Sequence, residues 1–177
     1  MNPDLDLQLK VVLKALGDTV GPAIDPSNQL AREQFGLALA TLNMVREHLP
    51  VQRRFVRRQL EDALRMADGI GAAIGGVDVA SAVAAAKAIL ADPEAEVDEI
   101  EAKRTVLNEA LSAVIAGLDP KGLQSVRDTV LDLSRPVLER TRAWFAGAGF
   151  EPGVSDVRPL STLLEPASAN ADNGAAA

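Results

Sequence analysis

A group of arginines near the middle of the chain has the residue types best suited to bind an anion. We call it the arginine cluster; it consists of Arg53, Arg54, Arg57 and Arg58. On a helix, several of these side chains lie one turn apart, so their like charges repel unless another group compensates them. Guanidinium groups bind phosphate and carboxylate bidentately, and Arg46 and His48 end the helical segment just before the cluster. The pattern therefore predicts an anion site formed by the arginine cluster with Arg46 and His48.

A simpler interpretation competes with the anion site. The arginines can face solvent and pair with carboxylates close by, namely Glu47, Glu61, Asp62 or the acidic segment that follows residue 92. Exposed pairs of this kind contribute about 0–1 kcal/mol to stability. The two interpretations differ in whether the guanidinium groups are already paired, and both remain open at the level of sequence.

The acidic segment itself does not predict a metal site. Its members are Glu94, Glu96, Asp98, Glu99 and Glu101. A hard cation such as Mg²⁺ would need further carboxylates from another helix, and nothing in the sequence requires them. The helix dipole already favours acidic residues in a first turn, which explains the segment without a metal.

Catalytic chemistry has little support in this sequence. His48 is the only histidine and there is no cysteine, which excludes disulfides, thiol catalysis and every motif that needs two histidines. A general base also needs an orienting partner, and His48 is more simply explained as a cap at a helix C-terminus. The glycines from Gly69 to Gly75 follow a helix and lack the Gly-Lys-Ser/Thr of a nucleotide loop. We predict no catalytic residue, metal or cofactor.

Trp144 and Phe145, with Phe150 beyond them, form the one aromatic cluster of the sequence. Aromatic side chains are enriched at interfaces, so these three residues are a candidate interface or the mouth of a ligand site. The alternative is that their rings close one end of a helical bundle.

The longest apolar patterns predict a helical hairpin from Asp25 to Gly75, with its turn at Leu49-Pro50. Asp25 is expected to cap the first arm, with Pro26 at the first helical position. Pro50 disfavours helical backbone at Leu49 and so ends this arm. Two long helices joined by so short a connection are expected to pack side by side and antiparallel.

Further helices are predicted on both sides of the hairpin from apolar spacing and capping residues. They run from Asp4 to a stop at Gly21-Pro22, from a cap at Asp78 to about Ala91, from Asp92-Pro93 to Leu118, and from Asp119-Pro120 to Gly147. Pro136 falls inside the last helix and is expected to kink or split it. From Glu151 the pattern dissolves. Leu160, Leu163 and Leu164 could make a short turn that docks on the bundle, and the sequence leaves open whether it does.

These patterns predict an all-α protein, an antiparallel bundle of five to six helices around the hairpin 25–75. Residues 1–150 are expected to form a single domain, and residues 151–177 an extended or disordered tail. The net charge of −7 argues against nucleic-acid binding. The stretch from Gly69 to Leu90 falls short of a membrane span, and the N-terminus lacks the features of a signal peptide. We therefore expect a cytoplasmic protein that binds neither nucleic acid nor membrane.

Three classes of function remain open. The first is an interaction or oligomerisation module without chemistry of its own, and the broad apolar faces predict a homodimer. The second is a carrier or sensor that holds an apolar or anionic small molecule between helices. An enzyme ranks last, because the residues that usually perform chemistry are missing or single.

Overall fold

The computed structural model describes residues 4–76, 78–148 and 156–165, and within these ranges it contains helices and no strand. The prediction of an all-α bundle is confirmed. The α-helices are α1 (Leu5–Ala15), α2 (Gly21–Ala23), α3 (Gln29–His48), α4 (Gln52–Ile74), α5 (Ala80–Ala91), α6 (Val97–Ala116), α7 (Pro120–Phe145) and α8 (Leu160–Leu163).

The chain forms two compact units. Among the described residues, the N-terminal unit comprises 4–51, 141–148 and 156–160, and so contains α1, α2, α3 and the last turn of α7. The core unit comprises 52–76, 78–140 and 161–165, with α4, α5, α6 and most of α7. The two arms of the predicted hairpin, α3 and α4, fall in different units. Their side-by-side packing, and the assignment of 1–150 to one domain, stay predictions.

The core unit is built on the apolar stripe of α4. Val56, Leu60 and Ile70 are at most 1% exposed, and they recur at the spacing that places side chains on one face of a helix. Helix α4 packs against α6 and α5, and α6 contributes Ile100 and Leu107, each 0% exposed. Truncating such a residue to alanine costs about 2–5 kcal/mol, so this stripe is the main source of the unit's stability.

The alanine-rich helix α5 packs closely within the same unit, as its small side chains predicted. Ala86 is completely buried, and α5 contacts both α6 and α4. The prediction that Asp78 caps this helix is wrong. The helix begins at Ala80, Val79 occupies the N-cap position, and no side chain caps the free N–H groups. Val79 is itself buried at 5% exposure, so packing of this apolar residue, rather than a carboxylate cap, accompanies the start of the helix.

Two of the three Asp-Pro pairs do not cap the helices that the sequence predicted. Oδ1 of Asp25 accepts hydrogen bonds from the backbone N–H and the hydroxyl of Ser27, both at 2.8 Å, which makes a turn before α3. The cap of α3 is Asn28, whose side chain accepts from the N–H of Ala31 at 3.0 Å. Both arrangements satisfy free donors, and here the turn displaces the helix start to Gln29.

The second and third pairs show the two outcomes of the same dipeptide. Asp92 accepts from the N–H of Glu94 at 2.8 Å, again in a turn, and α6 starts only at Val97. Asp119, by contrast, accepts from the N–H of Gly122 at 2.7 Å and caps α7 at Pro120 as predicted. The third prediction is therefore confirmed, and the first two are wrong.

The first helical segment is longer and less regular than expected. After α1 the backbone continues as a π-helix from Leu16 to Val20 and then as α2. The helical segment does not end at Gly21-Pro22 as predicted. Pro22 lies in the first turn of α2, where its missing N–H is not needed. A Cβ on Gly21 would lie 2.8 Å from Cε1 of Phe35, so a glycine is required where the chain approaches α3.

Two further expectations concern Pro136 in helix α7 and the turn near the C-terminus. Pro136 does not split α7, which is helical from Pro120 to Phe145. A short helix, α8, forms at Leu160–Leu163. Leu164 after it is 2% exposed, and the carbonyl of Glu165 accepts a hydrogen bond from Arg58. The remainder of the predicted tail, 151–155 and 166–177, lies outside the described residues.

Candidate functional site

Two members of the arginine cluster bind backbone carbonyls rather than carboxylates. Arg53 donates to the carbonyl oxygen of Pro93. Arg57 donates to the carbonyl of Asp92 at 3.2 Å and to that of Leu90. The last carbonyls of a helix have no partner within it, and cationic side chains there also favour the helix dipole. These two arginines therefore close the C-terminal end of α5.

The other two members differ from each other. Arg58 pairs with Glu61 at 2.6 Å and donates to the carbonyl of Glu165 at 2.9 Å, so the predicted partner Glu61 is found. Arg54 is exposed and has no hydrogen bond or ion pair within the described part of the chain. Of the four guanidinium groups, three are already bound by the protein and one faces solvent.

Arg46 and His48 belong to the N-terminal unit, whereas the arginine cluster belongs to the core unit. Nε of Arg46 lies 3.3 Å from the carboxylate of Asp6, which also pairs with Lys10. Each unit thus provides its own partners for these cations. The anion site predicted from the sequence stays a prediction.

His48 packs on the indole ring of Trp144, with ring centroids 4.2 Å apart and planes inclined by 32°. Its Nδ1 is buried and has no hydrogen-bond partner among the described residues. Desolvation lowers the pKa of His48 below its usual value, against a smaller opposing effect of Glu47. The ring is therefore mainly neutral near pH 7, and it acts as a packing partner within the N-terminal unit.

The structure joins residues that the sequence treated separately. Trp144, which the sequence predicts as part of an interface or ligand mouth with Phe145 and Phe150, contacts His48, and the interface stays a prediction. Phe145 is 48% exposed, as an interface residue would be in a free chain. Phe150 lies outside the described residues.

The helices of the N-terminal unit bury very little. No residue of α1, α2 or α3 is classed as buried, although all three helices carry large apolar side chains. Nine such side chains between residues 5 and 49 are 38–67% exposed, and we call them the N-terminal apolar surface. They are Leu5, Leu7, Val11, Val12, Val20, Leu30, Leu37, Val45 and Leu49.

Part of this surface is a regular stripe along α3 and the turn that follows it. Leu30, Leu37, Val45 and Leu49 are 67%, 38%, 39% and 41% exposed. Their spacing of seven, eight and four residues keeps them on one side of the helix. An exposed apolar stripe at helical spacing is the pattern by which one helix packs on another.

Helix α1 has apolar side chains on two sides. Leu9 and Leu13 are half-buried, and α1 contacts α3. Leu7 and Val11, one turn apart, are 57% and 60% exposed. A helix that is apolar on two sides is suited to a position between two partners, and within the described residues only one side is occupied.

A buried charge cluster in the core unit was missed by the sequence analysis. Asp62 of α4 and Arg140 of α7 are each 6% exposed and form an ion pair. The same carboxylate also binds Arg65. Arg140 follows Val137 by three residues, at a position where the apolar stripe of α7 would place an apolar side chain. That position is the feature of the sequence that could have indicated its burial.

Within the described residues, no group of three or more side chains is arranged to hold a metal ion, and no helix is long and apolar enough to cross a membrane. Comparisons of the chain with protein-family models, curated proteins and solved structures gave no match.

Proposed function

We propose that this protein is a non-enzymatic helical module that self-associates through its N-terminal apolar surface. The observation that supports this function is the contrast between the two units. Nine large apolar side chains are exposed between residues 5 and 49, against four in the core unit, which are Val106, Leu123, Leu131 and Leu138. Soluble monomers rarely leave large apolar areas uncovered, and the regular stripe of α3 is the part of this surface that is best suited to contact a partner.

A second copy of the same chain fits the size of the surface. A stable interface buries about 800 Å² and roughly 20–30 residues on each side. Helices α1 and α3 contain 11 and 20 residues. Only one face of each helix can contact a partner, so an interface of standard size would also include residues that flank these two helices. Burying a fully exposed leucine contributes about 1.5–3 kcal/mol, and association costs about 4–15 kcal/mol. Leu30 and Leu37, which are 67% and 38% exposed, therefore do not suffice alone, and a stable dimer needs most of the N-terminal apolar surface to be buried.

The charges around the surface also favour a second copy over a strongly charged partner. Residues 4–51 contain four Lys and Arg against six Asp and Glu, so two such units repel each other only weakly. Several of these charges are already paired, for example Lys14 with Asp18 and Arg46 with Asp6. In a two-fold dimer the same patch of both copies forms the interface, so this patch must be complementary to itself. A mainly apolar surface whose charges are already paired meets that requirement.

Charged substitutions on the α3 stripe test this function. Leu30→Glu with Leu37→Glu is expected to raise the dimer dissociation constant about 10–100-fold, since it places carboxylates in the interface. The control is Leu131→Glu, because Leu131 is 53% exposed but lies in the core unit. Light scattering after gel filtration at several concentrations would measure the mass, and circular dichroism would confirm that the helices remain.

Equal dissociation constants for the wild type, the α3 variant and the Leu131→Glu control would refute an interface on α3. A stronger effect of the control would place the interface on the core unit instead. Binding of a different protein to this surface, with the isolated chain monomeric, would replace the second copy as the partner.

A further inference from the structure

A cleft in the core unit has the composition of a small-molecule site. Its volume is about 370 Å³, and it lies between α4, α6 and α7. Ligand sites in proteins range over roughly 300–1,000 Å³, so this one suits a small ligand. The lining is part polar and part apolar. The polar side chains are Gln59, Asp62, Arg104, Asn108 and Ser134, and the apolar ones are Ala63, Met66, Val137 and Leu138.

Helical spacing brings these side chains together. Gln59 and Met66 are seven residues apart on α4, and Arg104 and Asn108 are four apart on α6, so each pair shares one face of its helix. Val137 and Leu138 of α7, with Ser134 one turn before them, supply the remaining wall. Helices α4 and α6 are fixed against each other by the core contacts, so the polar part of the cleft is preformed.

Five polar side chains line the cleft. Asp62 is paired with Arg65 and Arg140, and Ser134 donates to the carbonyl of Val130, whereas Gln59, Arg104 and Asn108 make no side-chain hydrogen bond within the described residues. Nε of Arg104 is buried without a hydrogen-bond acceptor. A buried donor that stays unpaired costs about 1–3 kcal/mol, and such groups call for an explanation. Of the three side chains only Arg104 has a buried unpaired donor, its Nε, and a ligand in the cleft can supply the missing acceptor. Gln59 is half-buried and Asn108 exposed, so their amides are free to contact the same ligand.

The local charge indicates that the ligand is an anion. Asp62 also lines the cleft, but its carboxylate is already paired with Arg65 and Arg140. Arg104 therefore adds a cation with no carboxylate to balance it. A guanidinium group binds a carboxylate bidentately, and the side-chain amides of Gln59 and Asn108 can donate further hydrogen bonds to its oxygens.

We propose that the cleft binds a small monocarboxylate with a short aliphatic chain. The carboxylate lies on Arg104 and accepts from the amides of Gln59 and Asn108. The aliphatic chain lies on Met66, Val137 and Leu138. One unpaired guanidinium matches a single negative charge better than a phosphate, and the apolar wall explains why a chain, rather than a bare anion, completes the site.

Calorimetric titration of the full chain tests this site with three probes. Octanoate is expected to bind saturably, while 1-octanol, which lacks the charge, and acetate, which lacks the chain, each bind at least about tenfold more weakly, a difference of about 1.4 kcal/mol. Arg104→Met keeps the aliphatic stem and removes the charge, and it is expected to weaken octanoate binding about tenfold or more. Arg54→Met is the matched control, because it removes the same charge from an exposed position of the core unit.

A second variant tests the site independently, in case Arg104→Met weakens binding only because the protein unfolds. Asn108→Asp is isosteric and exposed, and its carboxylate competes for Arg104 and repels the ligand, so binding should weaken again. Octanoate affinity is expected to be unchanged in Leu30→Glu with Leu37→Glu, which separates this site from self-association. Equal binding of octanoate and 1-octanol, equal affinities in Arg104→Met and Arg54→Met, or saturable binding of inorganic phosphate in place of octanoate would each overturn the proposal.

Discussion

Asp62 and Arg140 place two charges in the interior of the core unit, each 6% exposed. Taking a charge out of water costs several kcal/mol unless a partner compensates it. Burial and the nearby Arg58 lower the pKa of Arg140, against a smaller opposing effect of Glu61, because both disfavour the charged guanidinium. The ion pair between Asp62 and Arg140 compensates both charges and so allows both side chains to be buried.

Breaking this pair should cost more than replacing it. Asp62→Leu alone leaves the Arg140 guanidinium buried without its partner, and we expect the free energy of unfolding to fall by about 3–5 kcal/mol. Adding Arg140→Met should recover a large part of that loss, because two apolar side chains need no compensation. Urea denaturation followed by circular dichroism measures all members of the cycle. Additive losses in the double variant would contradict a coupled buried pair.

His48 gives the N-terminal unit a defined response to acid. Its folded-state pKa is lowered by burial, so the unfolded chain binds the proton more readily. Stability from the neutral ring is fully present above about pH 6.5, the usual pKa of histidine, and is lost as the pH falls below it toward the folded-state pKa. His48→Phe keeps a ring beside Trp144 and removes the titration.

We expect the melting temperature of the wild type to fall more steeply than that of His48→Phe between about pH 6.5 and pH 5. Thermal unfolding in matched buffers measures both slopes, and the carboxylates that titrate at lower pH are common to the two proteins. Parallel slopes would mean that the pKa of His48 is the same in the folded and unfolded chains.

At the scale of helices, two glycines with the same local role should respond in opposite directions to alanine. A Cβ on Gly69 of α4 would lie 2.8 Å from Cγ2 of Thr129 and 2.9 Å from Cδ1 of Leu133 in α7, whereas one on Gly36 of α3 meets nothing within 4 Å. Gly36→Ala should therefore stabilise by about 0.5–1 kcal/mol through helix propensity.

Gly69→Ala should instead destabilise by about 1 kcal/mol, because overpacking by about 1–3 kcal/mol exceeds the same gain in propensity. Urea denaturation of the two variants gives the comparison directly. Stabilisation by both substitutions would show that α7 moves away from α4 at little cost.

The helices themselves were largely predictable, and their first residues were not. Apolar spacing and prolines gave the extents of α3, α4 and α7 to within a few residues, because those signals are local. Asp25, Asp92 and Asp119 look alike in sequence, yet the first two accept from the second residue after them and the third from the third. An aspartate carboxylate can accept a backbone N–H hydrogen bond either in a turn or as a helix cap. The residue type alone therefore does not indicate which of the two forms.

Partners of charged side chains were less predictable, for a physical reason. The sequence shows which carboxylates lie near the arginine cluster, but Arg53 and Arg57 bind carbonyls at the end of α5, about 35 residues away. Every residue carries a carbonyl, so no residue type marks that partner. Arg104 and Arg140, each at a missing step of an apolar stripe, did carry a signal in the sequence.

At the scale of the whole molecule, the two units differ in how their apolar residues are used. The core unit buries a continuous set of side chains around Leu60, Ile100 and Leu107, whereas α1 and α3 leave theirs half-exposed or exposed. The core unit can be stable on its own burial, and the N-terminal unit has unused apolar area that a second copy would cover. Self-association is the simplest use of that area.

Sedimentation equilibrium of the wild-type chain tests this claim most directly. The account predicts a mass of twice the 18.6 kDa chain at tens of micromolar, with dissociation toward the single chain on dilution and loss of the dimer in Leu30→Glu with Leu37→Glu. A mass of 18.6 kDa at every concentration up to the hundreds of micromolar would contradict it.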